Sequence, residues 1–285
     1  GVDGTDSASG VQRPTAGDNR SQLRAMLQPR TPGTEIASDA QNETQWFGVS
    51  LDGRTLKTPM GQALAVPSQS LAFAIAAEWD AQKKYLQPAQ MPLMTMTCTA
   101  LDQVSMHPVS YQEQALNYLT TDTTCFWADP TEDRVLHRRQ QEAWDGLHSF
   151  VKQHFESKPS IALGAGEALA MSRKRKNKPN AGLPHPDQLY ERAKEYTVNL
   201  DAWHLVALHA VCMQAKSFFV GVGMLEKASP LDVKKAVEAS RVEEEFQISI
   251  WGLVEGGHDY DRLNCSIQLG AAQILLQTIR AENEV

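Results

Sequence analysis

The chain is short of the groups that most enzymes and most nucleic-acid binders are built on. Its 285 residues contain only four cysteines, Cys98, Cys125, Cys212 and Cys265, scattered and with no CxxC pair. That favours reduced, buried thiols over a disulfide framework or a zinc site. There is no GxxxxGK[ST] or GxGxxG phosphate loop and no GxSxG or HExxH segment, so the local signatures of nucleotide, serine-hydrolase and zinc-protease chemistry are missing. Cation excess is lacking too: a net charge of -7 argues against a polyanion-binding surface over the whole molecule, and DNA is not expected as a partner. No long apolar run is free of charge. The most apolar stretch, Trp203–Leu225, carries Lys216 near its middle, which costs roughly 2.5–3.5 kcal/mol on membrane insertion. It reads as buried core helix, and no membrane span is expected.

What is present is an ordinary globular composition, 42% hydrophobic, in a chain long enough to bury a sizeable core without staples. Residues 1–44 are polar, Gly/Ser/Thr/Pro-rich and aperiodic, and read as a disordered or extended arm. From Gln45 the pattern changes. WFGVSL reads as a strand, Asp52-Gly53 as a tight hairpin turn, RTLKT as the return strand and ALAV as a further short strand. Pro67-Ser68 opens a helix with Ser68 as N-cap, reaching about Tyr85. Met91–Leu101 alternates Met and Thr and reads as extended. His107-Pro108 opens a second helix that runs to Leu119, and Thr123–Trp127 reads as a strand. Beyond Thr131 the pattern is helical: 132–155, then, after a Gly/Pro/Lys-rich break at 158–186, helices near 187–197, 200–225, 231–254 and 259–281. Ser229, Pro230 and Asp232 supply start chemistry for the third of these late helices, and Gly256-Gly257 its end, with Asp259 available to cap the last helix. The expected fold class is α+β: a small mixed α/β N-terminal domain with a mostly antiparallel sheet (45–130), then an all-α C-terminal domain (131–285).

The densest stretch is Ser240–Asp261, SRVEEEFQISIWGLVEGGHDYD. Read as a helix, Glu244, Gln247, Ile248 and Trp251 share one face, while Val242, Phe246, Ile250 and Leu253 form a neighbouring apolar one. A carboxylate beside a large aromatic on one stripe suits a partner-facing surface, and Glu243-Glu244-Glu245 otherwise reads as a solvated face. Glu255, His258, Asp259 and Asp261 have metal-compatible side chains, but their spacing matches no zinc or calcium motif, and a helix stop and restart is the plainer reading. A metal-dependent enzyme built on this cluster stays open as an alternative. The basic run 173–178, Arg-Lys-Arg-Lys-Asn-Lys, could touch RNA phosphates but lacks interleaved aromatics, so a solvated loop is favoured. In Glu78-Trp79-Asp80, Trp79 falls on a buried stripe and the two acids flank it at the surface. Asp122 sits in a turn signal and could fix backbone amides.

Six segments occur in order: Leu51-Asp-Gly-Arg-Thr-Leu-Lys-Thr-Pro59, Ala76-Ala-Glu-Trp-Asp-Ala-Gln82, Met91-Pro-Leu93 with Thr99-Ala-Leu-Asp102, Tyr118-Leu-Thr-Thr-Asp-Thr123, Gln141-Glu-Ala-Trp-Asp145, and Ser240-Arg-Val-Glu-Glu-Glu-Phe-Gln247 with Trp251-Gly252. This ordered set, from about Trp46 to the C-terminus, resembles the family of assembly chaperones that handle the α subunit of the catalytic F(1) sector of mitochondrial ATP synthase (assembly factor 2 family). The resemblance implies a non-enzymatic protein of the mitochondrial matrix, without cofactor or metal and monomeric when free. Such a protein binds the free α subunit and keeps it soluble until it meets β. It further implies that the family's acidic position matches Glu244 best and Glu243 next, with Gln247 and Trp251 on the same binding face, and that Glu78, Trp79, Asp80 and Asp122 are structural. Placed at solvent, Glu244 is expected to tolerate reversal to Lys without loss of fold. The arm and the basic run depart from the family pattern and motivate a second reading, a member retained as a structural subunit of ATP synthase or of a mitoribosome.

Overall fold

The computed structural model describes residues 28–30, 45–173 and 182–283. The basic run, the RNA-contact alternative, lies outside the described residues apart from the backbone of Arg173, and so does most of the N-terminal arm. The exception in the arm is strand β1 (Gln28–Arg30), which pairs antiparallel with β2 (Trp46–Gly48). β2 pairs in turn with β5 (Ala65–Val66). Between them β3 (Ser50–Leu51) and β4 (Arg54–Thr55) form the expected hairpin. Its turn residues Asp52 and Gly53 both have positive φ, 50° and 75°, the conformation that matches the right-handed twist of the strands.

The fold is α+β, a small antiparallel sheet followed by helices. It falls into two compact units. One holds the described residues up to Cys98 with the end of the last helix from Thr278, the other Thr99–Gln277. In the first, α1 (Gln69–Asp80) starts at Ser68, whose Oγ accepts from Leu71 N at 3.2 Å. It buries Leu71, Ala72 and Ile75 and ends at Asp80, short of the expected Tyr85. Met91–Leu101 is not extended. It forms α2 (Pro92–Thr99), which continues as a π-helical turn, Ala100–Val104. The Met/Thr alternation misled because Leu93, Met96, Thr97 and Ala100 are the buried positions, and they follow a helical spacing.

Residues 99–130, assigned by the sequence reading to the sheet domain, pack with the helices that follow. The second unit is built around α7 (Ala202–Ala215) and α8 (Phe218–Leu225), which lie against α3 (Pro108–Thr120) and α4 (Arg134–His154). The apolar stretch is therefore two core helices, broken at Lys216, whose φ of 55° puts it in the left-handed region. Among the described residues no helix is long and apolar enough to cross a membrane. All eight residues of α8 are buried. Gly221 is required there: a Cβ on it would lie 2.7 Å from Cys212 Sγ and 2.9 Å from Leu208 Cδ1 on α7. Asp133, Asp201, Ser217 and Asp232 cap α4, α7, α8 and α9 (Val233–Ser240). Asp232 is thus the N-cap itself, where Ser229 was expected; Ser229 Oγ serves the preceding turn by accepting from Leu231 N at 3.2 Å.

Three further differences bear on the site. Thr123–Cys125 is a 3₁₀ turn leading into β6 (Phe126–Trp127), which pairs parallel with β7 (Ala162–Leu163). The break at 158–186 contains α5 (Gly164–Arg173), followed by α6 (Asp187–Val198). The expected helix 231–254 is two, α9 and α10 (Val242–Trp251), kinked at Arg241. α10 stops at Gly252, with φ of 86°, rather than at Gly256-Gly257, and α11 (His258–Asn283) follows with Asp259 inside its first turn instead of capping it.

Candidate functional site

Helix α10 is held on two sides and open on a third. Val242 and Phe246 are its buried residues. On the α4 side, Gln140 Nε2 donates to Glu243 Oε1 at 2.9 Å, Arg139 Nη1 donates to Ser249 Oγ at 3.3 Å, and the Arg139 guanidinium lies 5.3 Å from the centre of the Phe246 ring. Burial raises the Glu243 carboxyl pKa, and the Gln140 bond opposes that rise. On the α11 side, Arg262 Nε donates to Glu245 Oε1 at 2.9 Å. Burial raises the Glu245 pKa, but the bonds and charges of Arg262 and Arg241 hold it below its ordinary value. The three glutamates also occupy the first helical turn, where the exposed amides favour negative charge.

Arg241 is the residue that sequence reasoning missed. Its side chain is 6% exposed, Nη1 lies 2.9 Å from Glu244 Oε2, Nε lies 3.3 Å from Glu245 Oε1, and Nη2 donates to His258 O at 3.4 Å. One buried guanidinium therefore ties the start of α10 to the start of α11. The signal was in the sequence, an arginine three and four residues before two glutamates, but spacing alone does not report burial. It changes the reading of Glu244. The side chain is only 33% exposed and neutralises a buried cation, so reversal to Lys cannot be silent for the fold, contrary to expectation.

The open side carries Gln247 and Trp251, both exposed, with Glu243 at its edge toward α4, exposed in part and held there by Gln140. Trp251 is 77% exposed, and Ile250, Leu253 and Val254 beside it are exposed as well. Four large apolar side chains facing water within five residues are a feature that soluble proteins reserve for contacts. The apolar face expected from the sequence divides: Val242 and Phe246 are buried, while Ile250 and Leu253 lie at the surface with Trp251.

The metal alternative finds no support in the geometry. Among the described residues no three His, Cys, Asp or Glu side chains converge where they could hold a metal ion. His258 Nδ1 accepts from Val254 N at 3.3 Å across the turn, a structural task.

The structural residues divide. Glu78 is not a solvated flank: its two carboxylate oxygens accept from Leu93 N and Met94 N, each at 2.8 Å, and cap α2 from another helix. Burial raises its pKa, against those two amide bonds. Trp79 is half-buried and Asp80 exposed. Asp122 is fully buried and fixes backbone amides as expected. It accepts from Phe219 N (2.9 Å), Thr124 N (3.0 Å), Thr124 Oγ1 (2.7 Å) and Ser217 Oγ (2.8 and 2.9 Å), joining the 3₁₀ turn to the start of α8. Burial pushes its pKa up to about 6, against the pull of those bonds. Thr124 Oγ1 also meets His148 Nε2 at 3.1 Å. Burial, with the nearby charges of His185 and Lys158, holds His148 down at about 4. Two buried groups with opposite shifts are thus linked through one threonine.

Comparison with known proteins gives concordant results. Residues 34–152 match the family model described as ATP12 chaperone protein. The chain is 28% identical over 241 residues to "Protein atp12, mitochondrial" of Schizosaccharomyces pombe, covering 81% of this chain and 77% of that protein. It is 27% identical over 260 residues to "Protein ATP12, mitochondrial" of Saccharomyces cerevisiae, covering 80% and 78%. The crystal structure of Atp12 from Paracoccus denitrificans superimposes with a TM-score of 0.69 at 25% identity, over 82% of this chain and 92% of that one.

Proposed function

This chain belongs to the ATP12 chaperone family, and we propose that it is an assembly chaperone of the proton-transporting ATP synthase that binds the free α subunit of the catalytic sector. The family is one of chaperones, not of enzymes. The client waiting for its neighbours exposes a large apolar interface, and such a patch aggregates. A chaperone needs an apolar surface of its own to cover it, held rigidly so that little order is lost on binding.

The observation that carries the reading is the exposed Trp251 cluster at the end of α10. The helix beneath it is fastened to α4 through Gln140 and Arg139 and to α11 through Arg262. Trp251 supplies the apolar anchor, Gln247 and Glu243 supply polar contacts one and two turns away, and Glu244 acts through Arg241 by keeping the helix start in place. Because the β subunit offers the client a larger interface, it displaces the chaperone without nucleotide hydrolysis. The mitochondrial matrix is the proposed compartment; the names of the two fungal relatives support the mitochondrion.

The test is direct. Purified protein mixed with free α subunit should co-elute with it on gel filtration and suppress its light scattering on dilution from denaturant. Absence of both effects would remove the proposal.

A further inference from the structure

Helix α11 continues the exposed surface in an unusual way. From Leu263 to Gln277 it contains no Asp, Glu, Lys or Arg, although its outward face meets solvent. That face carries Tyr260, Leu263, Ile267 and Ile274, all exposed. With Gly270 they repeat at intervals of three and four residues, the spacing of a seam that receives another helix. Gly270 lies at the centre of the seam with nothing within 4 Å of a Cβ placed on it, so a partner backbone can approach closely there. The opposite face, Cys265, Leu269, Ala272 and Leu276, is buried in the protein. A solvent face is ordinarily charged; this one is built as half of a helix pair.

Charge defines the end of the seam. Seven carboxylates and two arginines lie between Glu238 and Arg262. Both arginines are committed, Arg241 to Glu244 and Glu245 and Arg262 to Glu245. Glu255, Asp259 and Asp261 form no ion pair among the described residues and cluster where α11 begins. From these features we infer that the α11 seam receives an amphipathic α-helix of the client, with apolar residues at heptad spacing and a basic turn at the end that meets Asp259 and Asp261. From Tyr260 to Ile274 the seam is about 21 Å long, enough for about four turns of the incoming helix. The inference rests on the client-binding reading above and extends the surface beyond Trp251.

The experiment uses the full chain and two labelled peptides of about three heptads. Both have leucine at the seam positions and glutamine or alanine elsewhere; one carries a Lys/Arg turn at one end, the other a Glu turn in its place. Fluorescence anisotropy should show the basic peptide binding at least tenfold more tightly than the acidic one. Ile267→Glu should abolish that binding, and the double change Asp259→Lys with Asp261→Lys should invert the preference. Failure of both peptides to bind, equal binding of the two, or indifference to Ile267→Glu would each overturn the seam. All the altered side chains are exposed, so an unchanged melting temperature verifies the fold. Capture of α subunit separates the two claims. Ile267→Glu is expected to weaken it at least tenfold. Full capture by that variant, with loss on changing Trp251, overturns the seam and leaves the Trp251 reading; the reverse pattern overturns the Trp251 reading and leaves the seam.

Discussion

Replacing Glu244 by Lys separates a structural from a surface role for the acidic segment. The side chain lies 2.9 Å from the Arg241 guanidinium, which is 6% exposed. Removing one partner of a fully buried pair costs about 3–5 kcal/mol, whereas an exposed pair contributes about 0–1 kcal/mol. Glu244 is one-third exposed and Glu245 remains within 3.3 Å of Arg241, so loss of the carboxylate alone should cost about 1–2 kcal/mol. A lysine there adds repulsion against a cation that cannot reach water, bringing the total to roughly 2–4 kcal/mol. For a chain of this size each kcal/mol moves the melting temperature by about 2–4 °C. Glu244→Lys should therefore melt roughly 4–16 °C below the parent, and Glu244→Gln, which loses only the charge, about 2–8 °C below it. Circular dichroism melts at low and moderate salt would measure this, and the loss should persist with salt because the guanidinium is shielded from it. An unchanged melting temperature for Glu244→Lys would refute the buried clamp and return Glu244 to the role of a plain surface contact.

Other outcomes follow from the same packing. His148, with a folded pKa of about 4 against an ordinary 6.5, adds stability that is complete above pH 6.5 and is lost as pH falls toward 4, about 3 kcal/mol in all. Asp122 opposes it: a folded pKa of about 6 against 3.8 means that the native state takes up the extra proton, so its contribution grows by a similar amount, about 3 kcal/mol, as pH falls from 6 to 3.8. Asp122→Asn should remove that offset and make denaturant midpoints fall steeply between pH 6.5 and 4; a profile parallel to the parent's would contradict the assignment. Glu78→Ala deletes the acceptor for Leu93 N and Met94 N and should cost about 1–2 kcal/mol, read as faster amide exchange at those two positions. Gly221→Ala forces a methyl group against Cys212 and Leu208 and should cost about 1–3 kcal/mol in a denaturant titration, while Gly270→Ala, in open space, should be neutral or slightly stabilising.

How much of this the sequence showed depends on which physical cause was local. Start signals were legible where side chain and amide are neighbours, as with Ser68 before α1 and Pro108 at the start of α3. α2 was misread because its cap comes from Glu78, fifteen residues earlier, and because alternating Met and Thr imitates a strand while the buried positions follow a helix. The breaks at Lys216 and Arg241 were invisible, since neither is glycine or proline. In the site, periodicity put Gln247 and Trp251 on one face of a late helix, and both are exposed there, while Glu244, expected beside them, turns to Arg241. It could not show that Arg241 lies buried under Glu244, or that Ile250 and Leu253 stand in water, because burial depends on α4 and α11. The ordered motifs that suggested the chaperone family were worth more than any single residue, and the family match agrees with them.

The central claim is that the exposed Trp251 anchors the client. The measurement is the affinity of full-length chain for free α subunit, by anisotropy of labelled α, with Trp251 intact and with Trp251→Glu. Because the indole is 77% exposed, the variant should melt like the parent, and loss of a central aromatic anchor should cost at least about 2 kcal/mol, roughly a thirtyfold weaker Kd. Parental affinity in a folded Trp251→Glu protein would contradict the account.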